Sequence, residues 1–469
     1  MRTTRHRITI SLLGTAALLA ACSSGGDKNR TDTTATAANA NGTGNGNASG
    51  GNNASKCPGD NAGLTLPSGF CASVFADSVG AVRHLVVAPN GVLYVTLEGT
   101  KPSPEKQLGG HPQPPAPRGV AAMRDANGDG KADSVVYFGA IGNTGIGLYN
   151  GNLYVDEGKQ IVRYAWDSTS LAPKAKPQVV VRGIPLNPGH RSRNFTIDQN
   201  GTMYVNVGSS TNACQPKDRQ PDLAGQDPCR ELSTRAGIFR FDANKTGQTF
   251  SPAARFATGL RNGMGLALNP NGGQLWATQH GRDGLFDYWK SKFPDPKYQA
   301  ENPAEELVQV NQNDDFGWPY CYWAIDQKKL VDAPEYGGDG KKSERCDNKK
   351  EPVATYGGHW APMSLFFYTG SQFPAKYKNG AFIAFHGSWN RAPEQQAPGR
   401  VVFQPLNGQK AGGDYEIFAE GFAQVPANEV QPGTVKHRPV GIAQGPDGAI
   451  YISDDLGGRI YRVTYNGGK

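Results

Sequence analysis

The sequence predicts an all-β fold, a six-bladed β-propeller of four-stranded antiparallel blades, on three observations. A Gly-marked turn followed by a short apolar run recurs six times along the chain. Gly (61) and Pro (33) fill a fifth of the 469 residues, and both are poor in helix interiors. Only 19% of residues are charged, and such a composition suits short strands joined by tight turns better than a helical bundle.

Residues 1–21 read as an export signal. Arg2, Arg5 and Arg7 precede an apolar run from Ile8 to Ala21, too short to span a bilayer but suited to a signal core. The run ends in Leu19-Ala20-Ala21-Cys22, which resembles a bacterial lipobox. By that likeness Cys22 is the lipidated residue, and Ser23 after it favours a periplasm-facing protein on the outer membrane. Residues 22–56 hold almost no large apolar side chain and read as a lipid-anchored disordered tether. No later segment is apolar enough to span, so the lipid is the expected membrane contact. Without the three leading arginines, 45 Lys and Arg face 41 Asp and Glu. No dense basic cluster remains, so nucleic acid is not an expected partner.

Six further cysteines lie at 57, 71, 214, 229, 321 and 346. An even count in an exported chain suggests disulfides. Closeness in sequence favours Cys57–Cys71, Cys214–Cys229 and Cys321–Cys346. No CxxCH or CxxC occurs, so neither a c-type haem nor a CxxC zinc site is expected.

Residues 57–469 carry the repeat. Its marker glycines are Gly91, Gly151, Gly201, Gly272, Gly380 and Gly448, at spacings of 60, 50, 71, 108 and 68 residues. Pro89-Asn90-Gly91-Val92-Leu93-Tyr94-Val95 and Pro446-Asp447-Gly448-Ala449-Ile450-Tyr451-Ile452 are typical copies. Asn-Gly and Asp-Gly between apolar runs are hairpin signals, because both residues tolerate positive φ. Six such units predict six blades. The long fourth spacing predicts an insertion near 283–356, and strands near 70–75 and 460–465 are expected to pair and close the ring.

In a propeller the start of the innermost strand and the end of its hairpin partner emerge on one face. Before the marker glycines lie Arg83-His84, Asn143-Thr144, His190 with Arg193-Asn194, Arg261-Asn262 and His437-Arg438. After them lie Glu98, Glu157, Ser209, His280, His386 and Asp455. The set predicts a polar ligand site at one mouth of the channel. A neutral imidazole there can act as a base. The arginines suit a planar, carboxylate-bearing ligand.

Six motifs, taken in order, resemble a known family. They are Gly189-His190-Arg191-Ser192-Arg193-Asn194, Gly259-Leu260-Arg261-Asn262, His280-Gly281-Arg282-Asp283, Phe316-Gly317-Trp318-Pro319, Phe385-His386-Gly387-Ser388-Trp389-Asn390-Arg391 and Arg438-Pro439-Val440-Gly441. Together they resemble the pyrroloquinoline quinone (PQQ)-dependent sugar dehydrogenases, in the branch that includes L-sorbosone dehydrogenase-like proteins. The resemblance spans about residues 64–465 and implies a six-bladed propeller that oxidises a sugar by hydride transfer to PQQ. It implies His190 as the base, with Arg261-Asn262 facing the quinone. It implies cofactor contacts from Asn143, Thr144, Arg193, His280, Arg391, Arg438 and Asp455. A Ca²⁺ ion would sit on the backbone carbonyls of Gly281 and Arg282. Electrons would pass to an external acceptor. Ser209 stands where the glucose enzymes carry an acidic residue, which argues against glucose itself.

Asp125, Asn127, Asp129 and Asp133, with Gly130 among them, resemble the first part of an EF-hand loop. Val136 stands where the closing Glu belongs, so the loop is either a second Ca²⁺ site or a polar hairpin turn. Two other functions fit a six-bladed propeller. One is a metal-dependent lactonase, which needs a channel-axis ion held by groups such as Glu98, Glu157 and Asp455. The other is a non-catalytic binding module, in which His190 would be dispensable.

Overall fold

The computed structural model describes residues 57, 59–98, 119–186 and 189–467. The expected signal, Cys22 and the tether lie outside the described residues. Six antiparallel sheets, each built on four strands, form the six expected blades. Their innermost strands are Val82–Val87, Ile146–Tyr149, Phe195–Ile197, Leu266–Leu268, Pro362–Phe366 and Pro439–Gln444. These strands neighbour one another in a closed ring. Five of the six marker turns join an innermost strand to the second strand of its blade.

Gly91 and Gly448 take φ of 81° and 85°, the left-handed conformation the turn requires. Gly380 is the exception: it begins the strand Gly380–Phe385, and a Cβ there would meet the Gln404 carbonyl at 2.3 Å. The glycine marks a close backbone approach, not a turn. In this blade a longer connection carrying a 3₁₀ turn, Ala375–Lys378, separates the first two strands.

The second strands Leu93–Leu97, Leu275–Gln279, Gly380–Phe385 and Ile450–Asp454 are buried at every position. Each blade is packed on both faces by its neighbours, so these strands do not alternate apolar and polar. The ring closes as expected: Phe70–Ala76 forms the outer strand of blade 6 and pairs with Arg459–Tyr465, with Phe70 opposite Tyr465. Phe70 packs on Phe418 at 5.0 Å between ring centroids, and Phe382 on Phe418 at 4.8 Å. Such aromatic pairs add about 0.5–1.5 kcal/mol each beyond area burial; Phe70–Phe418 helps fasten blade 6 to blade 5, and Phe382–Phe418 lies within blade 5.

All three local disulfides are present. The insertion needs a correction. Glu305–Val310 and Ala354–Tyr356 are the third and fourth strands of blade 4. The added material is therefore two excursions. One carries the helices Leu285–Tyr288 and Pro296–Glu301; the other carries the hairpin of Cys321–Ala324 with Lys329–Asp332. An apolar spacing pattern could not show that ladder strands run between the two.

Candidate functional site

Where the innermost strands begin and the second strands end, a cavity of about 680 Å³ opens, within the range of small-molecule sites. Of the expected residues, His190, Arg261, Asn262, His280, Gly281, Arg438 and Asp455 line it. Arg83, Glu98 and His386 join them from the same strand-end positions.

His190 is held by its Nδ1, which lies 2.9 Å from the Ser209 carbonyl. A carbonyl only accepts, so Nδ1 carries the proton and Nε2 keeps its lone pair. Desolvation, then the Arg261 charge, hold the imidazole well below its ordinary value, so it is neutral at neutral pH. Ser209 thus acts from behind, fixing the tautomer. The Ser209 Oγ lies 3.0 Å from the same nitrogen.

Arg261 is 4% exposed. It donates to the Asp283 carboxylate at 2.7 Å, the Asn212 Oδ1 at 3.0 Å and carbonyl at 3.2 Å, and the Gly281 carbonyl at 2.8 Å. Asp283 also accepts from Arg219 at 2.8 Å and Asn390 at 2.8 Å. Desolvation opposes the Asp283 charge, but Arg261 and Arg219 outweigh it and hold the carboxyl well below the usual range. Asn262 donates to His280 Nδ1 at 2.8 Å, which leaves the ring proton on His280 Nε2. Burial lowers His280 to about 3. Its Nε2 is buried without a hydrogen-bond partner. Asn262 Oδ1 and Asn390 Oδ1 are buried without any partner. Unpaired buried acceptors are costly, and here they stand beside a cavity that a polar ligand can fill.

The opposite wall is closed. Asp455 accepts from Arg83 at 2.8 Å and from His386 at 2.8 Å. Four expected cofactor contacts do not reach the cavity, and each has a physical reason. Arg193 pairs with buried Asp156 at 3.1 Å and donates to the Gly158 and Pro185 carbonyls. Asn143 donates to Asp156 at 2.7 Å. Thr144 is fully buried and accepts from Arg83 at 3.3 Å. Arg391 is spent on the carbonyls of Ala300, Gly358 and Gln395. The Arg282 side chain is likewise locked, on Glu335. His84 and His437 turn inward, onto the Met363 carbonyl at 2.8 Å and onto Asp454 at 2.5 Å.

The carboxylates of Asp125, Asp129 and Asp133 accept from backbone amides of their own loop. Among the described residues they do not converge as a three-ligand set; the one such set is Cys321, Asp332 and Cys346, whose cysteines are disulfide-bonded. The polar hairpin turn is what the geometry supports.

Asp283, Glu305, His359 and Asn390 line the cavity and were not singled out as site residues by the strand-end positions. Asp283 was visible in the His280-Gly281-Arg282-Asp283 motif, and Asn390 in the Phe385–Arg391 motif. His359 and Ala361, both at positive φ, precede the innermost strand Pro362–Phe366 directly. The long blade-5 connection sets them farther before Gly380 than the other candidates lie before their marker glycines.

The family model described as TrAA12-like matches residues 118–466. The chain is 28% identical over 306 residues to an uncharacterised protein of Borreliella burgdorferi, covering 64% of this chain and 65% of that one. It is 25% identical over 380 residues to a pyrroloquinoline quinone-dependent pyranose dehydrogenase of Coprinopsis cinerea, covering 72% of this chain. The chain spans only 48% of that relative's length. With the aldose sugar dehydrogenase YliI of Escherichia coli it shares 22% identity, covering 66% of this chain and 70% of the relative. Among solved structures, the calcium structure of Trichoderma reesei carbohydrate-active enzyme family AA12 superposes with a TM-score of 0.68 at 18% identity, over 86% of this chain and 97% of that one. The holo form of the pyranose dehydrogenase PQQ domain of Coprinopsis cinerea gives 0.64 at 19% identity, with the same coverage. At these identities the structures support the propeller fold.

Proposed function

The chain belongs to the TrAA12-like family, and from that premise we propose that it is a PQQ-dependent dehydrogenase of a sugar or sugar-derived aldehyde or alcohol. One observation carries the reading: a neutral His190, pinned at Nδ1 by Ser209 and keeping its Nε2 lone pair, beside a cavity with unpaired buried amide oxygens. The relatives named for PQQ support it.

The donor set fits the cofactor. Arg438 and one remaining Arg261 N–H offer positive charge to a polyanion, and the unpartnered Asn262 and Asn390 oxygens are acceptors for a hydroxyl or N–H of a ligand. When bound, PQQ supplies the two-electron acceptor. His190 Nε2 accepts the proton of the sugar hydroxyl, and its neutrality at working pH makes it available as a general base. Arg261, fixed by Asp283 and Asn212, holds positive charge where negative charge would develop. Asp218, Arg219, His359 and Asn390 add to the wall of the cavity.

Calcium fits less directly. The Gly281 carbonyl accepts from Arg261, so a cation on that oxygen would meet a guanidinium. Calcium therefore enters the proposal as a requirement to be titrated. No CxxCH is present, so an external electron acceptor is part of the reading. Cys22 as lipid anchor and a periplasmic face complete it, supported by three disulfides that suit an oxidising compartment. The lactonase alternative is not favoured: Asp455 is taken by Arg83 and His386, and Glu157 by Gln160.

The test is dye-linked oxidation of a panel of aldoses, sorbosone and simple alcohols, with PQQ and Ca²⁺ added separately and together. Turnover that needs PQQ is expected. It should hold level from neutral to about pH 6.5 and fall only further into acid, because His190 protonates below its ordinary value. A protein that binds no PQQ would remove the reading.

A further inference from the structure

Five arginines line the cavity: Arg83, Arg191, Arg219, Arg261 and Arg438. Four have their guanidinium groups engaged by the protein. Arg83 pairs with Asp455 at 2.8 Å and faces Glu98 at 3.6 Å. Arg219 and Arg261 share Asp283 at 2.8 and 2.7 Å, and Arg219 also faces Asp218 at 3.6 Å. Arg438 donates to the His386 and Gly387 carbonyls, both at 2.9 Å.

Arg191 differs. Its backbone is fixed, since its carbonyl accepts from Asn143 at 3.1 Å. Arg191 is half-buried as a residue, and its guanidinium makes no hydrogen bond, ion pair or ring contact among the described residues. Each lining aspartate, and Glu98, already faces an arginine, and burial pushes Glu305 up to about 8, so it brings no charge at neutral pH. Positive charge is thus in excess on the residue that follows His190. A guanidinium offers a planar fork that matches a carboxylate bidentately, and one withdrawn from water is stabilised by such a partner.

We propose that Arg191 is the docking point for a ligand carboxylate. The proposal rests on the dehydrogenase reading. Two ligands carry that chemistry: the cofactor's own carboxylates and an acidic sugar such as a hexuronate. In either case the group is held by the residue next to the proposed base, so it orients the molecule from that side.

The test compares wild type with Arg191→Gln and Arg191→Lys, after their melting temperatures are shown to match. PQQ is titrated into the full chain by fluorescence quenching. Glucuronate and glucose are then compared as substrates of the loaded protein. A charge-assisted bidentate pair is worth about tenfold or more in binding. Arg191→Gln is therefore expected to lose about that much, with partial recovery in Arg191→Lys. Loss in PQQ affinity assigns the carboxylate to the cofactor. Loss in the glucuronate-to-glucose ratio of kcat/KM assigns it to the substrate. Variants within twofold of wild type in both readouts would overturn the proposal. Should wild type bind no PQQ, the dehydrogenase reading falls by itself. Calorimetry with glucuronate alone then decides on Arg191, and absence of a wild-type signal lost in Arg191→Gln overturns it.

Discussion

On the wall built by blades 3, 4 and 5, His190 keeps its Nε2 lone pair, and Asn262 and Asn390 each keep a buried oxygen without a partner. Across the channel, blades 6, 1 and 2 close their polar groups on one another. Arg83 sits on Asp455 and His437 on Asp454, and Asp156 of blade 2 takes Arg193 from the start of blade 3. Both walls draw on the same strand-end positions. The difference lies in what stands behind each group. A carboxylate from the neighbouring strand end holds Arg193 through a terminal nitrogen, whereas a backbone carbonyl behind His190 satisfies one nitrogen and leaves the other for chemistry. Position in the repeat selects polar residues; the partner decides whether they hold the ring together or meet a ligand.

The largest expected effects come from removing the anchoring carboxylate of each wall. Asp283→Ala strands Arg261, and Asp156→Ala strands Arg193; breaking a buried pair costs about 3–5 kcal/mol. Chemical denaturation should show similar losses for both. Sugar oxidation per folded molecule should collapse in Asp283→Ala and persist in Asp156→Ala. Equal activity losses would erase the distinction between the walls.

Next is the staple of the open wall. Cys214 and Cys229 are 15 residues apart and brace the loop that brings Ser210, Asn212 and Arg219 to the cavity. Replacing both by Ser should cost about 3 kcal/mol on the loop-entropy account. PQQ affinity should fall with it, as measured by titration.

A smaller effect depends on pH. Burial raises Glu306 to about 8. Between its unfolded value of 4.5 and about 8, the folded protein holds a proton that the unfolded chain releases, so stability from this group falls as pH rises through that window. Glu306→Gln should melt higher than wild type at pH 8, and the gap should close near pH 4.5. A constant gap across pH would contradict the assignment.

The smallest effect is expected at Arg391. Its guanidinium bonds only to carbonyls away from the cavity, so Arg391→Ala should cost about 1 kcal/mol in stability. It should leave PQQ affinity near wild type.

These contrasts also mark what the sequence could show. Hairpin chemistry at Gly91, Gly151, Gly201 and Gly448 made the blades countable, because positive φ leaves a residue signature. The ring closure and the three disulfides followed from apolar runs at the chain ends and short Cys spacings. The blade-4 strand Glu305–Val310 did not stand out, because it lies between two excursions and carries buried Glu305 and Glu306. The cavity face was legible for His190, Arg261 and His280. For Arg193 and Asn143 it was not, since the side chain that claims them, Asp156, is distant in sequence from Arg193 and belongs to another strand.

The central claim is that the open wall, through His190, takes the substrate proton. It is tested by measuring PQQ affinity and sugar-dependent dye reduction side by side in His190→Gln. The account predicts near-wild-type PQQ binding with turnover lowered by about 10²–10⁴-fold, the usual weight of a general base. Turnover within about tenfold of wild type, with PQQ bound, would contradict it.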